Sequence, residues 1–153
     1  MNVSSLIVGQ YYMKQINDEL DVISEGIDQI QSFQDNEYRS KVFSLVAHVK
    51  RISNFQSEIL ENDELRISKI YQLDSLEKDC AELLGQANLT LADFTNKNKL
   101  SYKEYAKVIV EVQKWYTYQK SLIEVMYKIS DLRYTLHLGA VSREQCADLL
   151  STY

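Results

Sequence analysis

The fold is decided by residues 13–30, which have the sequence MKQINDELDVISEGIDQI. The apolar residues of this stretch return at alternating intervals of three and four positions, and mostly polar residues separate them. They are Met13, Ile16, Leu20, Ile23, Ile27 and Ile30. Heptad spacing of this kind places one apolar stripe along an α-helix, which must be buried against other helices. We predict an amphipathic helix from about Val3 to Phe33, with a close backbone approach at Gly26.

The same spacing continues through the next two segments of the chain. The segment from Tyr38 to Leu60 carries Val42, Leu45, Val49, Ile52 and Ile59, and the segment from Leu65 to Phe94 carries Leu73, Leu76, Cys80, Leu83 and Ala87. Between the first two segments the apolar register slips in steps of four, which resembles a stutter. We therefore expect one continuous helix from Val3 to Leu60. The alternative is a turn at residues 35–36, where Asp and Asn side chains cap helices.

Polar capping signals mark the other helix boundaries. Either residue 62 or 63, an Asn or an Asp, is predicted to cap the third segment. Ser101 and Glu104 form a capping box after a polar, Asn-rich loop, so they open the fourth segment. Gly139 fits the end of that segment, and a second capping box at 142–145 predicts a short C-terminal helix.

The fourth segment, which runs to about Leu138, is apolar on almost every side. One seam comprises Val108, Val112, Trp115, Leu122, Met126, Ile129 and Leu136, and a second comprises Tyr105, Ile109, Tyr116, Ile123, Tyr127 and Tyr134. Val125 and Leu132 add a third direction. A helix that is apolar all round is buried all round. We therefore place residues 122–136 at the bundle centre or in an oligomer interface, and we expect a homo-oligomer.

Composition supports few, long helices. The 153 residues include no Pro and only four Gly, whereas β-rich folds need frequent Gly and Pro turns. We predict an all-α fold: an elongated, antiparallel, coiled-coil-like helical bundle of three to four long helices plus a short C-terminal helix. Residues 1–153 form one domain in this prediction. The apolar cluster near the start and the short helix at the end suggest a fragment of a longer chain.

Charge is distributed unevenly along the chain, which has a net charge of −5. Residues 1–37 contain seven acidic side chains and one basic side chain, whereas residues 95–137 contain eight basic and four acidic ones. These blocks are either solvated helix faces or flanking charges through which the first and fourth segments choose each other as neighbours.

Sequence motifs for catalysis or for metal binding are absent from the chain. The two histidines, His48 and His137, are not preceded by Glu three positions earlier, as carboxylate-bridged metal sites in bundles require. Cys80 and Cys146 form no CxxC pair, so we interpret them as reduced thiols of a cytoplasmic protein. Phosphate-binding loops and HExxH sequences do not occur. We predict no enzyme activity, no metal and no cofactor.

Lysines and tyrosines alternate in the fourth segment, which raises the question of nucleic-acid binding. The pI of about 5.1 and the aromatic residues in apolar seams argue against it. Tyr102 and Tyr118 fall outside the two main seams and are predicted to be the exposed pair. We therefore predict a protein partner or a second copy, and no nucleic acid.

The function that fits these features is a non-catalytic helical interaction or oligomerisation module acting through amphipathic helix faces. The predicted partner-binding residues are Leu6, Ile7, Val8, Tyr11, Trp115 and Tyr118. The alternative is a membrane-associated helical bundle that uses the N-terminal apolar cluster, whose tyrosines suit a lipid interface. Basic residues that bind anionic lipid are almost absent nearby, which disfavours a membrane partner.

Overall fold

The structure is a computed structural model that describes residues 3–30, 35–96 and 100–138. Its helices are α1 (Val3–Asp28), α2 (Asn36–Asn54), α3 (Gln56–Glu61), α4 (Asp63–Thr95) and α5 (Tyr102–Leu138). No strand occurs within these ranges, which confirms the predicted all-α helical bundle. The predicted C-terminal helix, with Gly139 and the capping box at 142–145, lies outside the described residues, as does Cys146.

The four long helices form an up-and-down, antiparallel arrangement. α1 packs against α2 and α5, and α4 packs against the same two helices. Pairs of polar residues show the directions, because residue numbers rise on one helix as they fall on its neighbour. These pairs are Asp28–Arg39 and Asp21–Lys50 between α1 and α2, and Asp74–Arg133 and Asn88–Gln119 between α4 and α5. Along α5, Lys128 pairs with Glu19 of α1 and Lys114 pairs with Asp35 in the turn after α1.

The predicted apolar seams of the first three segments are part of the core. All six seam positions of residues 13–30 are buried, as are the predicted seam positions of the second and third segments. α5 contributes an inner seam of Tyr118, Leu122, Val125, Ile129, Leu132 and Leu136. Full burial of one such aliphatic side chain stabilises the fold by ~1.5–3 kcal/mol, so these seams are the main source of stability.

The prediction of one continuous helix from Val3 to Leu60 is wrong. α1 ends at Asp28, α2 begins at Asn36, and α2 packs back on α1. The guanidinium of Arg39 donates hydrogen bonds to the carbonyls of Asp28 at 3.0 Å and Ile30 at 2.6 Å. A cation thus pairs with carbonyl groups that have no partner within the helix at the end of α1. A continuous helix would have kept the seams of α1 and α2 apart, whereas the turn buries them against each other. A further break at Phe55 separates α3 from α2.

Two predicted caps are confirmed. The side-chain oxygen of Asn62 accepts a hydrogen bond from the Leu65 amide at 3.0 Å and opens α4. At the start of α5, the Glu104 amide donates to Ser101 Oγ at 3.3 Å, and the Ser101 amide donates to Glu104 Oε2 at 3.3 Å. These bonds satisfy amides that the first turn of a helix leaves unpaired.

The α4–α5 hairpin is longer than the rest of the bundle. Burial on α4 ends at Ala87, and burial on α5 begins at Lys114. Described residues of 88–96 and 100–113 include no buried side chain. We call these two ranges the arm, which extends beyond the four-helix body as a pair of helices.

Two glycines of α1 differ in their surroundings. A Cβ atom on Gly9 would lie 3.0 Å from Cδ1 of Leu60, which is buried. A Cβ atom on Gly26 would meet nothing within 4 Å. The close approach predicted at Gly26 therefore occurs at Gly9, where α1 crosses α3.

We expect Gly26→Ala to raise the free energy of unfolding by ~0.5–1 kcal/mol, because Ala restricts the unfolded chain and favours the helix. Gly9→Ala should gain less or lose stability, because Leu60 must move. Urea denaturation followed by circular dichroism compares the two variants. An equal gain in both variants, or a loss at Gly26, would contradict this account.

Candidate interaction surfaces

An exposed row of apolar side chains runs along the side of α5 that faces away from the core. It consists of Tyr105, Ile109, Tyr116, Ile123 and Tyr127, which we call the outer stripe. The three tyrosines are 57%, 59% and 67% exposed. The outer stripe extends about 33 Å along α5, at ~1.5 Å per residue.

The outer stripe belongs to the second seam of the fourth segment. Residues 122–136 are predicted to lie at the bundle centre or in an oligomer interface, and their inner seam is buried within the single chain, whereas Ile123 and Tyr127 remain exposed. α5 is covered mainly by two helices, α1 and α4, and both lie on its inner side. One face of a doubly apolar helix therefore remains at the surface.

A groove borders the outer stripe on the side of α1. It has a volume of about 410 Å³ and is lined by Glu19, Val22, Ile23, Glu124, Tyr127 and Lys128. The Lys128 ammonium forms an ion pair with the Glu19 carboxylate across it. Val22 is exposed beside it, so the groove joins apolar surface of α1 to that of α5.

The predicted N-terminal cluster forms a second exposed surface on the first turns of α1. Ile7, Val8 and Tyr11 are exposed, and the ring of Tyr11 lies 5.7 Å from that of Tyr12 in an edge arrangement. The side chain of Leu6 lies outside the described residues. The structure thus brings three of the four predicted residues together on one face.

The predicted binding surface around Trp115 and Tyr118 is not exposed. Tyr118 is 0% exposed, so its prediction as an exposed residue is wrong, and Trp115 is half-buried. Tyr102, in contrast, is exposed as predicted. The ring of Tyr38 lies 4.8 Å from Trp115 and 5.0 Å from Tyr118. A signal was present in the sequence, because residues 118, 122, 125, 129, 132 and 136 keep heptad spacing and form the inner seam.

Beside these rings lies an ion pair that the sequence did not indicate. Lys114 Nζ is 3.3 Å from Asp35 Oδ1 and 2.7 Å from Glu111 Oε2. The side chains of Lys114 and Asp35 are only 7% and 10% exposed. Asp35 precedes α2 but makes no side-chain cap there, because its carboxylate faces Lys114 instead. The pair ties the turn after α1 to α5.

The charge blocks of the sequence agree with this packing. The acidic first segment and the basic fourth segment are neighbours, since α1 packs along α5 and Glu19 pairs with Lys128. Whether these charges select the neighbour stays a prediction. Ion pairs near a protein surface are typically worth ~0–1 kcal/mol each, so the Glu19–Lys128 pair adds little to stability.

Burial keeps several titratable groups of the core neutral. Desolvation raises the pKa of Tyr38 and Tyr118 well above the ordinary value of a phenol, and Asp35 contributes in the same direction. Burial, with a smaller effect of Glu77, raises the pKa of the Cys80 thiol to about 12. Cys80 is a free, buried thiol that donates to the Leu122 carbonyl at 3.3 Å, and Tyr38 donates to the Leu83 carbonyl at 2.6 Å. These groups connect helices as neutral donors.

A polar groove of about 670 Å³ lies between α2 and α4, and its lining includes Lys41, His48, Gln72, Asp79 and Glu82. His48 Nδ1 is 2.6 Å from the Ser44 carbonyl oxygen one turn earlier on α2. Across the described ranges, no three His, Cys, Asp or Glu side chains are grouped to hold a metal ion. No described helix combines the length and the apolar character needed to cross a membrane.

Stability is expected to fall as the pH rises from about 8 to about 10.5. In the unfolded chain, tyrosine ionises near 10.0 and cysteine near 9.0, whereas burial keeps Tyr38, Tyr118 and Cys80 protonated in the folded chain. The unfolded state therefore loses protons that the folded state retains, and alkali favours unfolding. Urea denaturation at several pH values measures this slope.

The double variant Tyr38→Phe/Tyr118→Phe should show a smaller alkaline loss than the wild type. Tyr71→Phe, a control at an exposed position of α4, should keep the full loss. An identical slope in all three proteins would show that the buried phenols are not responsible.

Comparison of the chain with protein-family models, with curated proteins and with solved structures found no match. The function is therefore inferred from the exposed surfaces and the core chemistry of the chain itself.

Proposed function

We propose that this protein is a non-catalytic helical interaction and oligomerisation module. The observation that carries the proposal is the outer stripe of α5, which leaves five large apolar side chains exposed on one continuous helix. With aromatic side chains of about 150–250 Å², its exposed area is roughly 500 Å², near the upper end of the largest patch found on ordinary monomers. Patches of this kind mark interaction sites.

Affinity in such a module comes from burying the outer stripe against a partner helix or sheet. Tyrosine is enriched at interfaces because it adds a large contact area at a small entropic cost. The stripe lies on a helix whose inner seam is already packed, so little further ordering opposes binding. Charges around the stripe then favour one partner over another.

The N-terminal cluster of Ile7, Val8 and Tyr11 is a second surface in this proposal. Tyr118 is not a binding residue in this proposal, because its side chain is buried in the core. The exposed residues Tyr116 and Tyr127 are proposed as binding residues instead. A cytoplasmic location is part of the proposal, and the free thiol of Cys80 supports it.

Photo-crosslinking in cells tests the proposal directly. A benzophenone amino acid placed at Tyr116 or Tyr127 should form adducts with another polypeptide, because both side chains lie in the proposed interface. The control position is Tyr71, which is at least as exposed but lies on α4. Denaturing gels and mass spectrometry detect and identify the adducts. Adducts at Tyr116 and Tyr127 that are no more abundant than those at Tyr71 would contradict the proposal.

A second candidate function is membrane association through the N-terminal cluster. The observation that favours it is the exposure of two aliphatic and two aromatic side chains on adjacent turns, at Ile7, Val8, Tyr11 and Tyr12. The rest of α1 carries five acidic residues and only Lys14 as a basic one, so anionic lipid would be repelled. The candidate therefore requires a neutral lipid surface.

Liposome flotation with neutral phosphatidylcholine vesicles tests this second candidate. If it is right, the wild-type chain floats, Ile7→Asp removes flotation by placing a charge at the lipid contact, and Tyr71→Asp leaves flotation unchanged. A wild-type chain that stays with the soluble fraction would eliminate membrane association and leave the interaction module.

A further inference from the structure

We propose that the outer stripe of α5 joins two copies of this chain, packed antiparallel about a two-fold axis through Tyr116. This inference rests on the proposed function, because it names the partner of the surface described above. Four features of the described residues support it: the spacing of the stripe, its direction, the charges beside it and the adjacent groove.

The spacing of the outer stripe is symmetric about Tyr116. Ile109 and Ile123 each lie seven residues from Tyr116, and Tyr105 and Tyr127 each lie eleven residues from it. A two-fold axis at Tyr116 therefore places Ile109 against Ile123 and Tyr105 against Tyr127. A symmetric dimer needs one patch that complements itself, and this spacing provides such a patch.

All five side chains also point in nearly the same direction. At 3.6 residues per turn, intervals of seven and eleven residues are close to two and three whole turns, so the other four directions lie within about 20° of that of Tyr116. A second α5 lying alongside at about 8–10 Å would contact every member of the stripe.

Charge favours the antiparallel orientation over the parallel one. The C-terminal half of the stripe lies beside α1, which has five acidic residues and one basic residue. Its N-terminal half lies on the arm, which is nearly neutral: the described arm residues include two lysines, Lys103 and Lys107, and three acidic residues, Asp93, Glu104 and Glu111. Antiparallel packing places this arm of one copy near the acidic α1 of the other, whereas parallel packing places the two acidic α1 helices at the same level. Avoiding that like-charge contact favours one orientation and one register.

The groove between α1 and α5 lies at the level where the arm of the second copy would arrive. Tyr127 forms one of its walls, and the two-fold axis brings Tyr105 of the second copy opposite Tyr127. The groove volume of about 410 Å³ accommodates an aromatic ring. Apolar surface on Val22 and Ile23 provides the contact that such a ring prefers.

The contact area lies at the lower end of the range for specific dimers. The outer stripe has roughly 500 Å² of exposed surface, and Tyr102 and the groove walls add to it, whereas specific interfaces bury about 600–1,000 Å² per partner. Tyr102 is 89% exposed and lies on the arm, directed toward the second copy.

Sedimentation of the purified full chain between about 1 μM and 1 mM measures self-association. We expect a monomer–dimer equilibrium in the wild type. Tyr116→Glu, which places two carboxylates at the axis, should weaken dimerisation at least ~10-fold, and Ile123→Asp should act in the same way. Tyr71→Glu is the matched control and should leave the equilibrium unchanged. Circular dichroism verifies that each variant retains its helices, as expected for exposed positions.

Disulfide trapping in a Cys146→Ser background tests the register. Tyr116→Cys should form a covalent dimer by itself. Ile109→Cys and Ile123→Cys should link to each other when the two variants are mixed, and neither should link to its own copy. Self-linking of Ile109→Cys would indicate parallel packing and would overturn the proposed arrangement.

The homodimer is wrong if the wild type sediments as a monomer throughout, or if Tyr116→Glu leaves a dimer unchanged. Crosslinks from Tyr116 to a different polypeptide would then retain the interaction module and exclude only the second copy as its partner. A monomer that also gives no specific crosslinks would overturn both proposals.

Discussion

Covering the inner seam of α5 is the constraint on which the rest of the structure depends. The seam from Tyr118 to Leu136 is fully buried, and α1 and α4 are the helices that pack most extensively against α5. Their antiparallel directions follow from the short connections between successive helices. Neighbouring helices bury the inner side of α5 only up to the point where the turn before α2 contacts α5, at the Asp35–Lys114 ion pair. Beyond it the α4–α5 hairpin continues as the arm.

The two faces of α5 explain why an interaction role fits this fold. A helix at one corner of a four-helix body gains neighbours on its inner side, whereas the outer stripe stays largely exposed. Removing that stripe from water requires another surface, which is the basis of the proposed module. Its symmetric spacing about Tyr116 makes a second copy the occupant that we favour.

Polar groups inside the bundle orient helices relative to one another. Arg39 donates a hydrogen bond to the Ile30 carbonyl just after α1, and Tyr38 donates one to a backbone carbonyl of α4. Lys114 of α5 forms an ion pair with Asp35 in the turn before α2. Buried charges of this kind contribute little net stability, because desolvation offsets their attraction. We expect them to disfavour other registers, since a shifted helix would leave a buried charge without its counterpart.

The sequence by itself determined the all-helical character of the chain, the core seams of α1, α2 and α4, and the caps at Asn62 and Ser101. These features depend on residues within a few positions of one another, so local spacing predicts them. Only the tertiary structure decided the turn after α1, the burial of Tyr118 and the face of α5 that remains exposed. These depend on which helices become neighbours, as in the contact between Asp35 and Lys114, which are 79 residues apart. Periodicity shows that a face is apolar, but the number of helices available to cover it determines whether that face is buried.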